Sequence, residues 1–270
     1  MSFTVLASTL GTLATEGESH FPPKPELFWQ PLFQVGDLFY VTRPMVVLAL
    51  SVVILSVWLV TTTKRAAVVP SKGQWLTEGI YNFVRNGIAK DMIGSRDFMK
   101  FVPVLFTLFT LILLNNLFGI IPPFQMPTMS RIGFPIALTI VVYVMYHAIG
   151  IKKHGLGGYF AFLLPGGLPG WIKPFIFLLE LITFFITRPL TLALRLFGNM
   201  FAGHMLLVVF IVGGYELLLA ESFALKLAAV PSFLLAFVFT LFEGLVQFLQ
   251  AYVFTLLAAS YFGGALVDEH

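Results

Sequence analysis

Residues 187–206 read TRPLTLALRLFGNMFAGHML, and this stretch decides the fold. It is apolar enough to lie in a bilayer, yet it carries Arg188, Arg195, Asn199 and His204. An arginine at membrane depth costs about 2.5–3.5 kcal/mol on insertion scales, so a chain keeps one only with a partner, a wet cavity or a task. On a helix, Arg188, Thr191, Arg195 and Asn199 are spaced three or four residues apart and share one face. His204 lies nine residues beyond Arg195, about 900° of rotation, and points to roughly the opposite side.

The composition agrees. The 270 residues are 58% hydrophobic and 11% charged, against about 45–50% and 25% in soluble domains. This is the profile of an all-α polytopic membrane protein. The net charge of +3 comes from short basic clusters beside apolar runs, an orientation signal and not a nucleic-acid face. The chain has no cysteine, which excludes disulfides, thiol catalysis and Cys-based metal sites. Nothing in the pattern asks for a cofactor, and no nucleotide-binding loop occurs.

Outward from the deciding stretch, the spacing of charges sets the spans. Residues 1–38 form a polar N-terminal segment with a Pro-rich FPPKPELF, lacking the basic start and continuous apolar core of a cleaved signal peptide. Residues 39–270 form one membrane domain. Residues 44–63, 101–121 and 132–151 are charge-free, each long enough to cross a bilayer. Between the first two, residues 73–93 place apolar side chains at helical spacing among several charges. They read as an amphipathic helix in the interface plane or, alternatively, as a helix packed on protein, followed by a turn at Gly94–Ser95. The second span ends in NNLFGIIPPFQMP, where prolines close the helix. His147, in the last turn of the third, reads as an interfacial or hydrogen-bonded histidine and not a ligand.

After a Gly/Pro-rich loop, HGLGGYFAFLLPGGLPG, two apolar stretches at about 171–219 and 227–262 are too long for vertical spans. They are therefore strongly tilted or bent, with Pro189 and Gly198 as bending sites and Gly213–Gly214 as a break. That makes about five membrane-embedded helices plus the interfacial one. Placing the loop after the first span inside gives the cytoplasm Lys64, Arg65, Lys72, Arg85, Lys90, Arg96, Lys100, Lys152, Lys153 and Lys173. The outside receives only Lys24, Arg43, Arg131 and Lys226. The N-terminus is then outside and the C-terminus inside.

The last helix carries a second polar stripe: Thr240, Glu243, Gln247 and Gln250. Chains of titratable and amide groups in lipid are what a proton path requires. An arginine differs, because its guanidinium stays charged and blocks or attracts without passing a proton on. Blander roles stand beside these. Arg195 can be a structural cation held by carbonyls or lipid phosphate, His204 and Glu243 a stabilising pair, and Gln247 and Gln250 interhelical glue.

RPLTLALRLFGNMFAGH resembles the most characteristic segment of subunit a of F-type ATP synthases, and LFEGLVQFLQAYVFTLL resembles its last helix. LLNNLFGIIPPF and the acidic C-terminal DEH are also similar, so the resemblance runs from about residue 39 to residue 270. It implies a non-catalytic stator subunit in a bacterial plasma membrane, with ATP chemistry on other subunits. The last two helices would pack against a ring of c subunits. Two offset half-channels would carry protons to and from a carboxylate on each c subunit. The remaining partners would be the b-subunit peripheral stalk and the other ATP synthase subunits.

Carried onto this chain, the resemblance makes Arg195 the essential arginine facing the ring, Asn199 its polar neighbour and Gln250 the glutamine close to it. His204 and Glu243 fall on two positions lining the outer half-channel. Many bacterial relatives hold Glu at the first and His at the second, so this chain has them exchanged, which argues that the two meet as a pair. Thr191 and Arg188 lie near the inner half-channel, Glu180 and Asn116 resemble further channel residues, and Gln247 belongs to the last-helix stripe. The Glu180-to-Pro189 spacing is one residue longer than the family's. The rivals from other classes are an independent ion-coupled transporter, which would work without a c-ring, and a structural membrane scaffold.

Overall fold

The computed structural model describes residues 31–35, 39–64, 66–121, 128–162, 164 and 169–266. The Pro-rich FPPKPELF, the prolines after Ile121 and the terminal DEH lie outside the described residues. The chain enters through an antiparallel hairpin, β1 (Pro31–Val35) and β2 (Phe39–Thr42). Neither strand is expected from the sequence, which gives residues 1–38 only as a polar segment. Helix α1 (Arg43–Lys64) follows and buries only Pro44, Val47 and Ser51. Its other apolar side chains are exposed or only partly covered, as befits a helix whose solvent is lipid.

Helix α2 (Lys72–Val84) runs through a π turn (Arg85–Lys90) into Asp91–Ile93. The Ser71 hydroxyl accepts from the Gln74 N–H and caps its start. Trp75 and Leu76 are exposed, whereas Val84, Ile88 and Ala89 are fully buried. The start of this element leaves apolar side chains exposed, and its end is packed on protein. Gly94 turns the chain with φ +88°, a conformation that suits glycine.

Helix α3 (Val102–Leu117) is the most covered apolar helix, burying Leu105, Leu108, Phe109, Ile112, Asn115 and Asn116 on its inner side. It ends at Leu117, four residues short of the expected boundary, and turns carry the chain on. Helix α4 (Gly133–Phe162) exceeds the expected 132–151 because part of the Gly/Pro-rich loop is helical. The helix breaks at Gly155 (φ +70°), and the arm beyond it folds back. A Cβ on Gly150 would overlap the Tyr159 ring, so that return depends on glycine.

The two long elements define the molecule. Residues Lys173–Leu219 form a continuous apolar helix of 47 residues, divided into α5 (Lys173–Ile182), a π turn (Thr183–Thr187) and α6 (Arg188–Leu219). Helix α7 (Phe223–Leu266) has 44 residues and runs through Pro231. At 1.5 Å per residue these are about 65–70 Å long, so they must lie obliquely in a hydrocarbon layer of about 30 Å. Among the described residues, four helices are long and apolar enough to cross a membrane, and α3 is a shorter apolar one. The chain is an all-α polytopic membrane protein.

Helices α6 and α7 pack antiparallel. Asn199 meets Gln250, Gly203 meets Glu243, Phe210 stacks on Phe239, and Gly214 meets Phe233. Gly213–Gly214 is therefore no break. A Cβ on Gly214 would stand 3.2 Å from Ser232 Oγ and from the Phe233 ring, so the small residue allows close approach instead. The Ser232 hydroxyl also donates to the Phe210 carbonyl at 2.8 Å. The real turn is Ala220–Ser222, between Glu216 and Lys226.

At the other end three elements converge on the C-terminus of α7. Gly263 lies against the Met92 carbonyl so closely that no Cβ fits. The Lys153 amine donates to the Leu266 carbonyl, capping one of the acceptors a helix end leaves open. Nearby, Lys100 bonds Asp97 at 2.6 Å, and that hydrogen bond holds the Asp97 carboxyl below its ordinary value.

Candidate functional site: the seam and open face of the long helix pair

The polar residues of α6 and α7 divide by azimuth. Thr191, Arg195 and Asn199 lie on the exposed side of α6, flanked by exposed Leu190 and Leu194. His204 lies on the buried side at 7% exposure. The 100° rule therefore holds between Arg195 and His204. Arg195 is a cation on an uncovered apolar face. The Thr191 hydroxyl is engaged by its own helix, donating to the Thr187 carbonyl at 2.7 Å.

The stripe on α7 faces inward: Glu243, Gln247 and Gln250 are all buried, at 4%, 0% and 4% exposure. The Asn199 amide donates to Gln250 Oε1 at 2.7 Å, joining the exposed stripe to the buried one beside Arg195. The Gln247 amide donates to Glu243 Oε1 at 3.4 Å. The Asn116 amide donates to the Gln247 carbonyl at 3.3 Å, bringing α3 into the group. Its neighbour Asn115 turns the other way, to the Ser51 hydroxyl at 2.8 Å, and ties α3 to α1.

His204 and Glu243 come to the same level of the seam. A Cβ on Gly203, the residue before His204, would stand 3.4 Å from the Glu243 carboxylate. Gly203 thus admits the carboxylate between the helices, a role invisible without the partner helix. Within this seam, Asn116 Oδ1, Glu243 Oε2, Gln247 Oε1 and Gln250 Nε2 are buried with no protein hydrogen bond among the described residues. Buried polar atoms normally find partners, and water is the usual one where protein supplies none.

The other end of α6 is aromatic. The Arg188 guanidinium lies 3.5 Å from the centre of the Phe184 ring and 5.4 Å from that of Tyr261, a cation–π arrangement. Arg188 is half-buried, and so is Glu180 on α5. Pro189 follows the π turn between them, just past Arg188. Pro189 has no N–H to give, and the Arg188 N–H bonds Thr183 O, five residues back. The Phe184 carbonyl then has no helical donor, and the Tyr146 hydroxyl of α4 donates to it at 2.7 Å. An unpaired carbonyl in apolar surroundings costs about 1–3 kcal/mol.

His147 is hydrogen-bonded, as its position suggested: Tyr159 Oη lies 2.6 Å from its Nδ1, and Phe185 stacks on the ring at 4.9 Å. The sequence reading missed Gly203, Tyr146, Tyr159 and Tyr261. The only signal was hydroxyl-bearing aromatics inside apolar runs, which packing explains equally well. No group of three or more metal-ligating side chains occurs among the described residues.

Residues 44–263 match the family model described as ATP synthase A chain. A protein named ATP synthase subunit a from Nocardioides sp. is 43% identical over 278 residues, covering 99% of this chain and 100% of the relative. One of the same name from Pseudarthrobacter chlorophenolicus is 44% identical over 230 residues, covering 85% and 86%. Another from Streptomyces lividans is 35% identical over 253 residues, covering 92% and 89%. On a match spanning both the open face with Arg195 and the buried seam, the chain belongs to the ATP synthase A chain family.

Proposed function

We infer that this chain is the proton-conducting stator of a rotary F-type ATP synthase, working against a ring of c subunits. The observation that carries this is Arg195, a permanently charged side chain exposed on an apolar face, one hydrogen-bonded step (Asn199–Gln250) from a buried polar seam. A cation left open in lipid lacks its partner, and a carboxylate on a neighbouring subunit supplies one.

Protons enter from outside along the seam. Glu243 and His204 lie nearest the outer end, where α6 and α7 are joined at Ala220–Ser222. The unsatisfied oxygens of Asn116, Glu243 and Gln247 hold the waters that pass a proton inward. The proton neutralises a c-subunit carboxylate, which then tolerates lipid. After nearly a full turn that carboxylate reaches the inner half-channel, beside Glu180, Arg188 and Thr191. It releases its proton there and passes Arg195 ionised, because the guanidinium favours the charged form. Arg195 also bars the direct route between the half-channels, since it does not give up its own proton. Each charge crossing the membrane brings about 2.3 kcal/mol per 100 mV, and this work turns the ring. The N-terminus is outside and the C-terminus cytoplasmic, in a bacterial plasma membrane; ATP chemistry takes place on other subunits, including those held by the peripheral stalk.

The test is ATP-driven proton pumping in inverted membranes carrying Arg195→Ala, with assembly of the complex checked alongside. Loss of pumping in an assembled complex is expected. Normal pumping would make Arg195 a structural cation and end this reading, and ion transport by the chain without a c-ring would favour the independent transporter.

A further inference from the structure

His147 sits in a nest of rings that the proton path described above does not use. It lies on α4, five residues before Lys152, at the end of the helix that the orientation above places toward the cytoplasm. Gly155 (φ +70°) breaks α4, and the returning arm lays Tyr159 against Gly150, where no Cβ fits. That brings Tyr159 Oη to 2.6 Å from His147 Nδ1. Two glycines and a returning arm thus fix one nitrogen of one imidazole.

The other nitrogen is left open. His147 is only 9% exposed, and its Nε2 is buried with no protein hydrogen bond among the described residues. Phe185 stacks on the imidazole at 4.9 Å, and the Tyr143 and Tyr146 rings each lie 4.2 Å from it. A buried polar atom without a partner costs about 1–3 kcal/mol. A phenyl ring would fill the same stack without that cost, so packing alone does not call for imidazole here. Water is the ordinary partner of such an atom.

The nest borders the inner half of the proton path. Phe185 belongs to the turn between Glu180 and Arg188, and Arg188 lies within electrostatic reach of His147. Arg188 also stands over the Tyr261 ring, and Tyr261 lies 5.7 Å from Tyr146. The titratable and charged groups around His147 are therefore Tyr143 and Tyr146 on α4, Tyr159 on its arm, Arg188 on α6 and Tyr261 on α7. The nearest carboxylate along the helix that carries Phe185 is Glu180. Among these side-chain types, imidazole is the one that takes up and gives up a proton near neutral pH.

We propose that His147 is a proton-exchanging residue of the inner half-channel, held through Nδ1 by Tyr159 and passing protons by way of water between the cytoplasm and the c-subunit carboxylate. This rests on the stator reading above. The Nδ1–H donates to the Tyr159 oxygen, which leaves the Nε2 lone pair free. During ATP-driven pumping Nε2 takes one proton from cytoplasmic water and forms imidazolium. It then returns that proton to water leading to the ionised carboxylate, which becomes neutral, and the imidazole ends as it began. During synthesis the same proton moves the other way.

The test uses assembled ATP synthase in inverted membranes, whose outer face is the cytoplasmic one, with Arg195→Ala run in parallel. The pH of the medium is varied, and each variant is compared with the parent at the same pH. His147→Phe keeps a ring in the stack and removes both nitrogens. It is expected to lower pumping about tenfold at a pH of about 8 and about twofold at about 6, where protons are plentiful without a collecting base. Tyr159→Phe removes only the hydroxyl and should give a smaller loss, about threefold at the higher pH, with the same trend. A packing role does not sense the pH of the medium. A loss that does not grow with pH, or parental pumping throughout, overturns the proposal. If His147→Phe fails to assemble, Tyr159→Phe decides by the same criterion. Normal pumping by Arg195→Ala would instead overturn the stator reading.

Discussion

The two sides of the α6–α7 pair differ in what surrounds their polar groups. On the open side, Arg195 and Asn199 stand among exposed leucines. In the seam, His204, Glu243, Gln247 and Gln250 are closed in by two helices, with α3 contributing Asn116. Both sides come from the same apolar helices, so composition does not separate them. A cation on an uncovered apolar face calls for a partner from another chain. Buried oxygens and amides call for water or for each other. The pair thus combines a contact surface with a conduit, and Asn199–Gln250 is where the two touch.

The largest expected effect lies away from the seam, where the C-terminal end of α7 meets the Asp91–Ile93 turn. Gly263→Ala would drive a Cβ into the Met92 carbonyl, a backbone atom that cannot step aside. The subunit should fail to accumulate in membranes, a loss of more than about 4 kcal/mol in fold stability; normal accumulation would show that the contact relaxes. Next comes the exchange of the seam's acid and base. Glu243→Gln and His204→Ala are each expected to slow proton-driven ATP synthesis about tenfold, with assembly unchanged. The reciprocal pair His204→Glu with Glu243→His should recover most of that loss, because neighbours couple non-additively. Independent, additive losses would show that the two do not act together.

Smaller still is the link between the sides. Gln250→Leu leaves the Asn199 amide without its 2.7 Å partner and should reduce pumping a fewfold, about 1 kcal/mol for one neutral hydrogen bond. On the open face, Leu194→Ala removes a side chain that is 43% exposed. It should leave subunit stability within about 0.5 kcal/mol in detergent. A marked loss of stability there would mean that the face is covered within the chain.

The helices were legible because bilayer thickness, charge spacing and the 3.6-residue period are local rules. Those rules put Arg195 and His204 on opposite sides, and the structure has one exposed and the other buried. They failed where a distant residue decided the outcome. Gly213–Gly214 looked like a break until Ser232 and Phe233 showed what the small residues admit. The Gly/Pro-rich loop turned partly helical because Tyr159 returns to Gly150 and His147. Asn115 and Asn116, identical in sequence terms, serve different helices.

The segment between Glu180 and Pro189 marks the same divide. The sequence alone determined the membrane class, the long helices and the polar stripes. Only the tertiary structure decided that this segment holds a π turn whose freed carbonyl is met by Tyr146, from 38 positions upstream. The reason is physical. Period and hydropathy act over a few residues of one helix, whereas a seam is made by side chains from helices far apart in the chain, and each polar group's partner exists only once they have packed.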